Sequence, residues 1–289
     1  MKPARILTVA GSDSGGGAGI QGDLKTIERL GGFAMTAVTA VTAQNTLGVH
    51  GVWSLPPDAV ERQIAAVADD IGVDAVKTGM LDSAALVRTV AAVLRRLGVA
   101  RSGAEGAPAG TEARSVAVGA RPVPLVVDPV MVAKGGQALL AEEARGALRD
   151  ELLPLAALVT PNVPEAEVLT GLPAGTLEQR ELVARRLVEL GAGAALVKGG
   201  HTEGETVVDL LFDGHEVRLF NAVRVHTQHT HGTGCTLSAA VATGLGQGLP
   251  LAQAVERGIR YVQAAIAHAP GLGAGHGPLG HAAGQAPWT

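Results

Sequence analysis

The sequence predicts an α/β fold, with a central, mostly parallel β-sheet and α-helices packed on both of its faces. Three observations carry this. Short β-branched runs alternate with amphipathic helical runs, the order that builds a parallel sheet through right-handed crossovers. Several of the short runs are almost continuously apolar, as strands covered on both faces are. The chain has 289 residues, 47% of them hydrophobic, enough for a sizeable core in one large domain or two small ones.

Strands are expected at 5–10, 36–43, 74–77, 124–127, 157–160 and 194–198. Helices are expected between them at 19–30, 57–70, 83–97, 137–151, 164–170 and 177–190. The alternation then breaks. Residues 206–212 and 215–220 flank Asp213-Gly214, which reads as a β-hairpin. A helix follows Cys235, where Leu237, Val241 and Leu245 recur every four residues, and another spans 251–267. Residues 101–121 lack periodicity and read as a flexible insertion. The tail at 271–289, rich in glycine, proline and histidine, is expected to fray.

The composition excludes several classes. A net charge of −4 with no basic face argues against nucleic acid as a partner. A lone cysteine, Cys235, cannot form an internal disulfide and suits a reducing compartment. The apolar run 6–10 is too short for a signal peptide. No run of about 18 apolar residues exists to span a membrane. The expected location is cytoplasmic. Aromatic residues are only 2%, so a bound ring would rest on aliphatic groups and backbone.

Ligands of open parallel sheets bind at the carboxyl ends of the strands. The segments 11–19, 44–45, 77–81, 128–131, 160–165 and 198–201 all follow strand ends and gather the polar residues. The glycine-rich loop 11–19 contains a formal G-x-G-x-x-G at Gly17, Gly19 and Gly22. It starts too far past its strand, and no acid lies between Glu28 and Asp58 to hold a ribose, so a dinucleotide fingerprint is rejected. No Walker-type G-x-x-x-x-G-K-[ST] is present. A substrate loop is the better reading, with Asp23 one turn into the next helix, either facing the site or solvated.

Asp128 ends a strand, and Glu165 lies three residues after Asn162 at a helix start. Asn162 and Glu165 fit a capping box. Asp128 and Glu165 equally fit a water-mediated Mg²⁺ site, since Mg²⁺ keeps several waters and uses few carboxylates. Lys198, before Gly199-Gly200-His201, can neutralise a transferring phosphoryl group. Gly232-Thr233-Gly234-Cys235 opens a helix. Its free N–H groups and dipole can hold an anion and lower the pKa of a thiol there; the alternative is a glycine turn before a buried, inert cysteine. His226, His229 and His231 have the spacing of a metal cluster, but are read as shaping that turn because a fuller ligand set is wanted.

Taken together, the segments AGSDSGGGAGIQGDLKT (10–26), TAVTAQNTLGV (39–49), VKTGML (76–81), VDPVMVAKGG (127–136), TPNVPEAEVLTG (160–171), LVKGGH (196–201) and HGTGCTLSAA (231–240) resemble the bacterial hydroxymethylpyrimidine/phosphomethylpyrimidine kinases of thiamine biosynthesis. That family lies in the ribokinase-like superfamily, on a branch shared with pyridoxal kinases. The segments occur in the family's order over most of the chain.

The resemblance implies a ribokinase-like domain over 1–289 with ATP and Mg²⁺ as cofactors. It implies two phosphoryl transfers at one site, first to 4-amino-5-hydroxymethyl-2-methylpyrimidine and then to its monophosphate. By position match, Ala18, Asp23, Thr42, Gln44, Met80 and Val130 would surround the pyrimidine, with Gln44 offering donor and acceptor to its edge. Asn162, Lys198, Gly200 and His201 would follow the nucleotide's phosphates. Asp128 and Glu165 would hold Mg²⁺ through water, and Gly232, Thr233, Gly234 and Cys235 would form the anion hole, with Cys235 as proton acceptor. Relatives often dimerise, so a homodimer is expected.

The chain departs from the family pattern at Gly22, at Thr42 where some relatives carry valine, at His229 where asparagine is commoner, and in the length of 101–121. Three rivals stay open: a pyridoxal or pyridoxine kinase on the same scaffold, a cysteine hydrolase built on Cys235 with His229 or His231, and a non-catalytic pyrimidine sensor.

Overall fold

A computed structural model describes residues 2–99, 122–131, 141–200 and 204–283. The expected insertion at 101–121, His201 and the last six residues of the expected frayed tail lie outside these. The elements in chain order are β1 (Arg5–Ala10), α1 (Gly19–Arg29), β2 (Phe33–Val38), β3 (Ala40–Asn45), β4 (Gly48–Ser54), α2 (Pro57–Asp70), β5 (Ala75–Thr78), α3 (Ala84–Arg96), β6 (Leu125–Val127), α4 (Glu142–Ala147), β7 (Leu158–Val159), α5 (Val163–Thr170), α6 (Leu177–Glu189), β8 (Ala195–Val197), β9 (Thr206–Phe212), β10 (Val217–Val223), α7 (Thr233–Gly246) and α8 (Leu251–Ala267).

Among the described residues, eight strands form one sheet in the order β10-β9-β8-β7-β6-β5-β1-β2. It is parallel from β2 to β8; β9 and β10 add the antiparallel hairpin expected at its edge. Alternation along each strand feeds two cores. Leu7, Val9, Val76, Val127 and Val197 face α2, α3, α4 and α6, while Ile6, Ala75, Val126 and Leu196 face α7 and α8. After β1 the chain moves to one side for β2 and returns to the other for β5. That reversal opens a crevice at the carboxyl ends of β1 and β5.

Two expectations are corrected. The strand expected at 36–43 is two strands. β2 stays in the sheet, while β3 turns away after Thr39 and pairs with β4 as a separate antiparallel hairpin. Thr39 fixes the break: its N–H donates to Ala10 O at 3.0 Å and its hydroxyl to Met80 O at 2.8 Å. These are tertiary bonds that no local pattern encodes. The tail, expected to fray from Gly271, is docked through residue 283. Leu279, His281 and Ala283 are buried, Tyr261 donates to His281 O at 2.8 Å, and His231 bridges to Pro278. Of the helix expected at 137–151, residues 137–140 lie outside the described residues; α4 starts at Glu142 and passes at Leu148 into a π turn through Leu152.

Candidate active site

The loop after β1 is organised by Asp13, which the sequence reading passed over. Its buried carboxylate accepts N–H bonds from Gly15 (2.8 Å), Gly17 (3.0 Å) and Ala18 (2.8 Å), and lies 2.8 Å from His231 Nε2. Burial acts to raise its pKa, but these bonds and the His231 ring hold it below the usual carboxylate value. An Asp directly before a Ser-Gly-Gly-Gly run was the available signal, since short acidic side chains fold back onto nearby backbone N–H groups. Gly11 lies close under Met80: a Cβ there would be 2.5 Å from Met80 Cε, the far end of a flexible side chain that would have to shift.

β3 carries Thr42 and Gln44 beside this loop. The register of the hairpin shifts between Ala43 and Gln44, a bulge of the kind that re-aims a side chain. The Gln44 backbone is clamped to the loop in both directions: its N–H donates to Ser14 Oγ at 2.8 Å, and Ser14 Oγ donates to Gln44 O at 2.7 Å. Thr42, Gln44, Met80 and Ala18 thus line or adjoin one loop.

Asp23 stands apart from that wall. It is wholly enclosed, accepting from Thr8 at 2.5 Å and from Lys77 Nζ at 2.8 Å. Burial alone would discharge Lys77, yet the carboxylate of Asp23 overcomes this and holds the ammonium above its ordinary pKa. Asp23 and Lys77 form a buried ion pair beneath the site rather than part of its surface. Lys77 reads in sequence as an ordinary strand residue; a charge inside an apolar strand run was the signal.

A second group converges at the ends of β6, β7 and β8. Lys198 Nζ lies 3.3 Å from Asp128 Oδ1 and 3.9 Å from Glu165 Oε2. Ser238, on α7, donates to Asp128 Oδ2 at 3.3 Å. Burial acts against the Lys198 charge, but Asp128 and Glu165 outweigh it and raise its pKa. Burial raises Glu165 to about 7, with Lys198 pulling the other way. The capping box is present: Glu165 N–H donates to Asn162 Oδ1 at 2.9 Å and Asn162 N–H to Glu165 Oε2 at 2.8 Å. Capping and proximity to Lys198 therefore coexist in one residue. Gly200 is exposed, its carbonyl accepting from Arg224 at 3.1 Å. Val130 follows Asp128 in a tight turn, its N–H donating to Asp128 O at 2.8 Å.

α7 joins the two groups. Its N-cap, Gly232, has φ +87°, and a Cβ there would lie 1.9 Å from Gly17 O, so only glycine fits. Thr233 begins the helix, three residues earlier than expected, and its hydroxyl donates to Thr230 O at 2.7 Å. No side chain caps this end, leaving first-turn N–H groups for a ligand. A Cβ on Gly234 would lie 3.2 Å from Lys198 Nζ and 3.5 Å from Asp128 Oδ2, so cation and helix terminus face the same space. Cys235, in this first turn, departs from expectation. Burial pushes its thiol up to about 11, and Lys77 only partly offsets this. It is a neutral thiol at physiological pH, not the activated thiolate that the helix terminus predicts. The histidines do not form a metal site: among the described residues, no group of three or more His, Cys, Asp or Glu could hold an ion.

The phosphomethylpyrimidine kinase family model matches residues 13–102 and 111–280. The hydroxymethylpyrimidine/phosphomethylpyrimidine kinase of Bacillus subtilis is 44% identical over 282 residues, covering 97% of this chain and 96% of that protein. The thiamine biosynthesis bifunctional protein ThiED of Geobacter sulfurreducens is 50% identical over 96% of this chain, which spans 52% of that longer protein. An ADP complex of Bacillus subtilis pyridoxal kinase superposes with a TM-score of 0.82 at 33% identity, covering 98% of each chain. With the glycine-rich loop, the Lys198–Asp128–Glu165 cluster and the glycine-opened helix in place, the chain belongs to the phosphomethylpyrimidine kinase family.

Proposed function

We propose that this kinase transfers the γ-phosphoryl group of ATP to the hydroxymethyl oxygen of 4-amino-5-hydroxymethyl-2-methylpyrimidine. It then adds a second phosphoryl group to the monophosphate. The observation that carries the reading is the convergence of Lys198 Nζ, the bare N-terminus of α7 at Gly234, and the acids Asp128 and Glu165. A cation and backbone N–H groups aimed at one point suit the charge of a phosphoryl group in flight.

In this reading the alcohol lies between the Asp13 loop, Met80, Thr42 and Gln44, with its oxygen toward Cys235. The first-turn N–H groups of Gly234 and Cys235 orient the phosphoryl oxygens, and Lys198 neutralises them. Asn162 and Gly200 lie along the phosphate path. As the new P–O bond forms and ADP departs, the alcohol proton must leave. Cys235, a thiol raised to about 11, already holds its own proton, so the alcohol proton passes late to an oxygen of the transferred phosphoryl group, which a loose transition state tolerates. Two carboxylates separated by Lys198 fit Mg²⁺ held through water better than direct ligation. When bound, the ion would supply neutralisation of phosphate charge. The family reading also carries a cytoplasmic location and a homodimer, which a two-chain mass by small-angle scattering would support.

The second reading is a pyridoxal kinase, favoured by the similarity to the Bacillus subtilis pyridoxal kinase structure. The test is a turnover assay with ATP and Mg²⁺ on the pyrimidine alcohol, its monophosphate and pyridoxal, side by side. Conversion of both pyrimidines in preference to pyridoxal is expected. Failure to convert the monophosphate overturns the two-step reading.

A further inference from the structure

The Gln44 amide sits between two neighbours whose hydrogen-bonding polarity is already committed. Its backbone is clamped by Ser14, so the end of the side chain is what remains to be set. The amide nitrogen lies 3.3 Å from His231 Nε2 on one side, and the amide oxygen lies 3.4 Å from Thr42 Oγ1 on the other. His231 Nε2 is also 2.8 Å from Asp13 Oδ2. Asp13 already collects three backbone N–H bonds and, as a carboxylate, can only accept. Nε2 must therefore carry a hydrogen and donate to Asp13, which leaves it no lone pair for an amide nitrogen. The single Thr42 hydroxyl hydrogen goes to Ser12 O at 2.8 Å, which leaves none for an amide oxygen. With nitrogen toward His231, donor meets donor and acceptor meets acceptor. A half-turn of the amide exchanges its two ends and resolves both conflicts at once. The oxygen then shares the His231 N–H with Asp13 in a bifurcated bond, and the nitrogen donates to Thr42.

We propose that Asp13, His231 and Thr42 are positioning residues that lock the Gln44 amide with its oxygen toward His231 and its nitrogen toward Thr42, and so determine which ring edge the site accepts. One amide lone pair and one N–H stay free, the acceptor on the His231 side and the donor on the Thr42 side. That order pairs with an edge presenting an exocyclic amino group next to a ring nitrogen, as side-chain amides pair with adenine. It opposes the 4-oxo analogue, whose ring N–H and carbonyl reverse both roles. The inference rests on the pyrimidine reading of the site and names the feature of the ring that is selected.

The test is calorimetric binding of 4-amino-5-hydroxymethyl-2-methylpyrimidine and of its 4-oxo analogue to the full-length protein, with phosphorylation of each followed in parallel. The wild type should bind the amino compound about 30-fold or more tightly than the oxo compound, because a mismatched polar pair is left unbonded. Thr42→Val keeps the shape and removes the anchor for the amide nitrogen; the amino/oxo ratio should fall about fivefold or more, with KM for the amino alcohol rising more than kcat falls. Thr42→Ser keeps the hydroxyl and should restore the ratio, whereas a merely structural role would weaken both ligands together. Equal affinity for the two pyrimidines, binding of neither, or a Thr42→Val ratio equal to that of the wild type overturns the inference. Selective binding of the amino compound without its phosphorylation upholds the inference and overturns the kinase reading instead.

Discussion

At the scale of single residues, Cys235 and Lys198 divide the work of the anion site unequally. The thiol lies at a helix terminus that favours its anion, yet burial beside Asp128 and Asp23 pushes it up to about 11, against Lys77. A thiol that already holds its proton is no base and only helps to position the alcohol, so Cys235→Ala should lower kcat by about tenfold at most while KM for the pyrimidine alcohol shifts little. Steady-state kinetics check this; turnover equal to wild type removes the sulfur from the mechanism. Lys198 is the cation held between Asp128 and Glu165. Lys198→Ala deletes the group that meets phosphoryl charge and should lower kcat by about 100-fold or more, read in the same assay.

At the scale of elements, the junction between the glycine-rich loop and α7 is the tightest constraint in the site. Gly232 combines a left-handed backbone with contact against Gly17 O. Gly232→Ala should destabilise the protein by about 2 kcal/mol or more, seen as a lower midpoint of thermal unfolding. Asn162 caps α5 through a reciprocal box with Glu165. Asn162→Ala should cost about 1 kcal/mol by itself, because it removes the Oδ1 that accepts from the Glu165 N–H, while the backbone N–H at position 162 still holds Glu165 Oε2 beside Lys198. β3 illustrates an element whose boundary is tertiary: the apolar run continues through Thr39, and the chain turns there because Thr39 bonds to Ala10 and Met80.

At the scale of the whole molecule, the C-terminal strap ties the parts of the site to one another. His276 N–H donates to Thr46 O at the tip of the β3–β4 hairpin, at 2.8 Å, and His231 N–H donates to Gly277 O at 3.2 Å. His281 anchors the strap on α7, its Nε2 lying 3.0 Å from Thr236 Oγ1. Burial lowers His281 to about 4. Its ordinary value lies near 6.5, so between those limits the unfolded chain binds a proton that the folded chain does not. Stability from this residue is complete above about pH 6.5 and is lost as pH falls toward about 4, a change of up to about 3 kcal/mol. Unfolding midpoints measured from pH 7.5 to 4 should fall less steeply for His281→Gln than for the wild type.

Strand–helix alternation, the apolar strand runs and the helix N-termini were legible in the sequence because they depend on local periodicity and on neighbours three or four residues apart. The spans 5–10, 57–70 and 251–267 coincide with β1, α2 and α8, and the motif residues Asp128, Glu165, Lys198 and Gly234 do meet at the strand ends. The tertiary structure decided the rest. It buried Asp23 against Lys77, drew His231 to Asp13 across 218 residues, peeled β3 from the sheet and docked the tail. It also reversed the direction of the Cys235 pKa, because desolvation depends on everything packed around a group and not on the turn that presents it. Local pattern determined which residues could form this site; long-range burial and hydrogen-bond polarity decided what each of them is able to do.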